Sequence, residues 1–98
     1  MFDYAKQKPV REYVAYFMPG DKRGSIAVYE EGIVLREGRT ETAVRNGYVQ
    51  SIERVPGGVV LGKAEARIDY YNLFGNKEVV TVKMRESDVA ALKKDVGK

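Results

Sequence analysis

The chain has 98 residues, with 17 Lys and Arg against 14 Asp and Glu, a net charge of +3, 44% hydrophobic residues, and no Cys, His or Trp. That length suits one domain, residues 1–98, able to bury roughly 60–65% of its unfolded surface without covalent staples. The missing residue types exclude disulfides, zinc-thiolate centres, thiol nucleophiles, and the Ser-His-Asp and Cys-His catalytic arrangements.

Residues 1–10 have no clear periodicity, and Pro9 interrupts any helix, so a loose N-terminal arm is expected, free or docked. The arm is charged from its start and has no apolar run of the signal-peptide kind, so no secretory signal is expected and the cytoplasm is the expected compartment. Arg11 to Met18 is rich in aromatic and β-branched residues and stops at Pro19-Gly20, which predicts a first strand. Asp21-Lys22-Arg23-Gly24 reads as a polar loop. Ser25 to Tyr29 alternates, with Ile26 and Val28 on one face and Ala27 and Tyr29 on the other. Glu30-Glu31-Gly32 then has the ingredients of a hairpin turn into Ile33-Val34-Leu35, and Glu37-Gly38-Arg39 ends that strand.

Asn46-Gly47, between Thr42-Ala43-Val44-Arg45 and Tyr48 to Ile52, has two readings of equal standing. It is either a hairpin turn or a kink that takes one long segment around a barrel corner. Pro56-Gly57-Gly58 predicts a turn, followed by Val59-Val60-Leu61. From Ala64 to Phe74, Ile68 and Tyr70 alternate against Arg67, Asp69 and Tyr71. Gly75-Asn76-Lys77 is a turn, and Glu78 to Met84 is a strand with Val80, Val82 and Met84 on one face. The period then changes. Val89, Leu92 and Val96 form one apolar stripe, predicting a helix over 86–96 with Ser87 as N-cap, Glu86 and Asp88 at its positive end, and Lys93 and Lys94 at its negative end.

Together these elements predict a mainly β fold, a small antiparallel barrel or roll of about seven strands capped by one C-terminal α-helix. The succession Gly24 to Tyr29, Gly32 to Leu35, Glu41 to Val44, Tyr48 to Glu53, Ala66 to Tyr70, Val79 to Met84 and the closing helix resembles the pleckstrin-homology-like superfold. Within that superfold it resembles the GRAM and the bacterial or archaeal PH-like domains. The resemblance covers Gly24 to Val96, with the preceding strand as the first of the barrel. It implies a binding module whose helix plugs one open end. It also implies that the loop after the first strand, here with Lys22 and Arg23, is where anionic headgroups are held when they are held at all. An SH3-like or OB-type barrel is the alternative fold, and the terminal helix argues against it.

No phosphate-cradling glycine motif occurs, Glu30-Glu31 reads as a solvated turn tip, and no calcium-loop spacing is present. No enzyme activity and no cofactor are expected. The candidate binding residues are the loop bases Lys22 and Arg23, the bases Arg36, Arg39 and Arg45 around a hairpin with Lys63 and Arg67 further along, and the aromatics Tyr71 and Phe74. Tyr70 and Tyr71 are adjacent on a strand, so one must face outward, where with Phe74 it can anchor a partner. The leading reading is a non-enzymatic module for a protein or peptide partner, self-association included. A small basic nucleic-acid-binding protein comes second, and a weak anionic-lipid binder third.

Overall fold

The computed structural model of the chain describes residues 2–56 and 62–98. The expected turn at Gly57-Gly58 and the segment Val59-Val60-Leu61 lie outside those residues.

Seven strands form among the described residues: β1 (Arg11–Phe17), β2 (Lys22–Val28), β3 (Gly32–Glu37), β4 (Thr40–Arg45), β5 (Val49–Arg54), β6 (Lys63–Tyr71) and β7 (Lys77–Arg85). They make one antiparallel sheet in the order β4-β3-β2-β1-β7-β6-β5, followed by helix α1 (Glu86–Val96). The consecutive hairpins β1–β2, β2–β3, β3–β4, β5–β6 and β6–β7 keep sequence neighbours paired. The exception is the link between β1 and β7, which pairs only Tyr16 with Lys83 and Phe17 with Val82. The sheet is rolled. Val44 of β4 and Ile52 of β5, from opposite sheet edges, share one buried cluster with Phe17, Ile26, Ile68 and Met84.

The β3–β4 turn is a two-residue loop, Gly38-Arg39, between the paired residues Glu37 and Thr40. Gly38 has φ of 59° at the first loop position, which is where a type II′ turn demands glycine. The alternation expected in β2 is correct, but both of its faces are buried. Ile26 and Val28 enter the main core, while Ala27 and Tyr29 form a second cluster with Val34 and Phe2. The arm is therefore docked, not loose, at its start. Phe2 is 2% exposed and packs edge-on against Tyr29 with ring centroids 5.8 Å apart. Gly32 makes room for it, since a Cβ there would overlap both the Phe2 ring and the Val44 carbonyl oxygen.

The register corrects one further expectation, decides an open reading and adds a buried acid. Lys22 and Arg23 lie in β2, opposite Phe17 and Tyr16, so the connection after β1 is shorter than the polar stretch suggested. Asn46-Gly47 is not a hairpin turn. It opens a single 3-10 turn (Asn46–Tyr48) that carries the chain from one sheet edge to the other, so the corner reading is the one realised. Asp69, on the outward face of β6, is buried nonetheless, flanked by Arg67 at 3.2 Å and Lys77 at 3.5 Å.

Helix α1 buries Val89, Leu92 and Val96 against the sheet, as its stripe requires, and packs on β5, β6 and β7. Its N-cap position is Arg85 rather than Ser87, because β7 hands over to the helix with no intervening residue. At the other end Gly97 adopts φ of 80° and donates its N–H to the carbonyls of Lys93 and Lys94. The Tyr13 hydroxyl donates to the Asp95 carboxylate at 2.6 Å, tying β1 to the helix.

Candidate functional site

The residues between β6 and β7 are organised by one side chain. Asn72 Oδ1 accepts the backbone N–H of Phe74 at 2.9 Å and of Asn76 at 3.0 Å, while its Nδ2 donates to Glu78 at 3.0 Å. Gly75 completes the turn at φ of 80°. This Asx-type arrangement holds Leu73 and Phe74 at the tip, both of them exposed. Phe74 is 87% exposed and Tyr71, at the end of β6, is 41% exposed. Tyr70 points the other way and packs on the core, and burial, then the neighbouring Glu78, pushes its phenol pKa up.

Opposite this turn runs β4. Between them lies a groove of about 190 Å³, with Val44 and Tyr70 at its base and Tyr48, Tyr71, Leu73 and Phe74 at its rim. It runs beside the outer edge of β4, which is a terminal strand of the sheet order and has β3 as its one strand neighbour among the described residues. An unpaired strand edge beside exposed aromatics offers backbone hydrogen bonds and apolar anchoring to one extended segment.

The structure brings only three of the candidate residues to this groove, Arg45, Tyr71 and Phe74. Arg45 ends β4, 3.6 Å from Glu31. Arg36 is elsewhere, on the outward face of β3. It bonds to Glu12 at 2.7 Å, Glu41 at 3.0 Å and the Tyr29 hydroxyl at 3.2 Å. Burial works to lower its pKa, but the hydrogen bonds with Tyr29 and Glu12 outweigh it and the value rises. Glu41 also accepts from the Tyr4 hydroxyl at 2.7 Å, and that bond, followed by Arg36, holds its carboxyl below the usual range. Arg36 therefore fastens the arm and the sheet face.

Lys22 and Arg23 sit at the end of β2 near the Gly38-Arg39 turn, since Gly24 pairs with Glu37. Lys22 lies 3.5 Å from Glu37. Lys63 lies over the Tyr16 ring, 3.9 Å from its centroid, and Arg67 is engaged with Asp69. The bases thus do not form one patch.

Leu73 belongs to the groove and was missed in the sequence, and Tyr48, one of the chain's seven tyrosines, joins the rim there. Leu73-Phe74 did carry a signal, an apolar pair inside a turn bounded by Asn72 and Gly75-Asn76, where polar residues are the rule. A larger recess of about 870 Å³ opens where β1 diverges from β7, lined by Arg11, Tyr13, Tyr16, Lys63, Met84 and Arg85. Arg11, Glu12, Lys63, Arg85 and Asp88 give this recess a more polar lining than the smaller groove, and two of those charges already have partners, Arg11 beside Asp95 at 3.6 Å and Lys63 over Tyr16.

The architecture is that of a mainly β protein, one seven-stranded antiparallel sheet with a C-terminal helix. No helix among the described residues is long and apolar enough to cross a membrane. Comparison with protein-family models and with curated proteins finds no match.

Proposed function

We propose that this chain is a non-enzymatic, PH-like interaction module that takes an extended segment of a protein partner along the β4 edge. The observation that carries the reading is the groove beside that edge, where Tyr48, Tyr71, Leu73 and Phe74 stand exposed around an unpaired strand. A bound segment would add one antiparallel or parallel strand to β4 and place an apolar side chain between Tyr71 and Phe74. Seven strands followed by one packed helix support the PH-like part of the reading.

Selection of a phage-displayed random peptide library against the immobilised chain tests this. Selected peptides should carry a large apolar residue in an extended context. Their affinity should fall by about tenfold or more in Phe74→Ser, since anchor residues at such sites commonly contribute that much. Phe74 is almost fully exposed, so its replacement should leave thermal stability within about 0.5 kcal/mol of the parent. Peptides that bind equally well to Phe74→Ser and Tyr71→Ser would overturn the site.

A further inference from the structure

We infer that the segment occupying this groove is β4 of a second copy of the chain, paired antiparallel about Ala43. The inference rests on the reading of the groove as a protein-binding site and supplies its partner.

The backbone phase of β4 comes first. Asn46 N–H donates to the Glu31 carbonyl at 2.9 Å, and the ladder continues through Ile33 with Val44, Leu35 with Thr42, and Glu37 with Thr40. In an antiparallel pair, hydrogen-bonded and non-hydrogen-bonded positions alternate. Thr40, Thr42 and Val44 therefore spend their backbone groups on β3, while Glu41 and Ala43 turn theirs towards the sheet edge. An incoming strand must bond to Glu41 and Ala43.

The side chains then select the register. Counting outward from Ala43, two residues back is Glu41 and two residues on is Arg45. A second β4 running antiparallel about a two-fold axis at Ala43 sets Glu41 of each copy opposite Arg45 of the other. Both cross-strand charge pairs are attractive, and the small Ala43 sits at the axis. Shifting the centre to Thr42 would oppose Arg39 with Arg45 and lose both attractions. Shifting it to Val44 would put Glu41 opposite Gly47 and Arg45 opposite Ala43. Of these three registers only the Ala43 one is complementary in charge, and it is the one that pairs residues lying wholly within β4; opposite charges directly across strands stabilise while like charges destabilise.

Glu41 is already held by Tyr4 and Arg36, and Arg45 keeps its contact with Glu31, so both charges stand on a defined side of the strand before any partner arrives. The two-fold arrangement closes on itself and uses the same patch on both copies, so it ends at a dimer. It also covers two exposed strand edges at once. Leu73 and Phe74, beside the β4 edge, then cover the partner strand.

Sedimentation velocity of the full chain over a concentration series tests the inference, with far-UV circular dichroism confirming that each variant is folded. The parent should form dimers. Glu41→Arg alone, and Arg45→Glu alone, each oppose like charges twice and should weaken dimerisation by about tenfold or more. An equimolar mixture of the two single variants should regain dimers, because every introduced charge then meets its opposite across the axis. The combined variant Glu41→Arg/Arg45→Glu should do the same. A parent that remains monomeric throughout, or dimers indifferent to these exchanges, would overturn the inference. If the chain is monomeric yet phage-selected peptides still need Phe74, the second copy is lost and the groove stands. If neither the peptides nor the chain itself occupies the groove, both readings fall.

Discussion

Tyr13 shows how one side chain can join distant parts of this chain and take on a pH dependence in doing so. Its ring lies in the main core, and its hydroxyl reaches Asp95 on the last turn of the helix. Burial first, and then the hydrogen bond to Asp95, push its phenol up to about 12 from an ordinary value of 10.0. A raised folded-state value means that the neutral phenol is the form the fold prefers. The stabilisation is therefore fully present below the ordinary tyrosine range and is lost as pH rises through the folded value. Urea denaturation of the parent and of Tyr13→Phe, from neutral pH to about pH 12, measures it. At neutral pH the variant should be less stable by about 1 kcal/mol, the usual net worth of one such hydrogen bond. Between pH 10 and about 12 the difference should shrink or reverse. A difference constant with pH would mean that the phenol is not held by Asp95. Arg36 makes the complementary point at the same scale. Its sequence position suggests an anion-binding base, yet Glu12, Glu41 and Tyr29 occupy its guanidinium.

Among the elements, the helix and the β6–β7 turn divide structure from function. Helix α1 contributes its apolar stripe to the main core, with Leu92 0% exposed. Leu92→Ala should cost about 2–4 kcal/mol in denaturant melts, as buried leucine truncations do. A loss below about 0.5 kcal/mol would make the helix peripheral and remove it from the core described here. The β6–β7 turn behaves oppositely. Its shape comes from Asn72 and Gly75, and its two apolar side chains point to solvent. Substitutions at Leu73 and Phe74 should therefore leave stability alone and show in binding, whereas Asn72→Ala should disturb the turn itself.

For the whole molecule, the distribution of charge matters more than its sum. The net +3 is modest, and Arg36, Arg45, Arg54 and Arg67 each face an acid within 4 Å. Lys22 faces Glu37 at 3.5 Å as well, and with Arg23 and Arg39 beside it this end of the rolled sheet gathers at most three bases that could meet a polyanion. Each phosphate contact adds a slope of about −0.9 in log affinity against log salt, so a duplex bound there should show a slope no steeper than about −3 and fade by physiological salt. Fluorescence anisotropy against a random duplex over a salt series checks this. Sub-micromolar affinity that persists at physiological salt would move the nucleic-acid reading ahead of the protein-partner reading.

Among the described residues, most strands, the turns at Gly38-Arg39 and Gly75-Asn76, and the closing helix were legible in the sequence because each depends on local pattern. A short β-branched run such as Ile26 to Tyr29 bounded by Gly24 and Gly32 favours a strand, and a Val89, Leu92, Val96 stripe favours a helix with one buried face. Tyr71 and Phe74 were legible for a similar reason, since two adjacent strand residues cannot both face the core. What lay beyond the sequence was the choice of partners across long separations. Whether both faces of β2 are covered depends on Phe2 reaching Tyr29, and whether Asn46-Gly47 turns a hairpin or a corner depends on β5 pairing with β6 instead of β4. Which arginines remain available depends on which acids the register sets beside them. Periodicity records how each residue divides between core and solvent. Only the folded sheet decides which residues meet, because that is a competition among contacts distant in the chain.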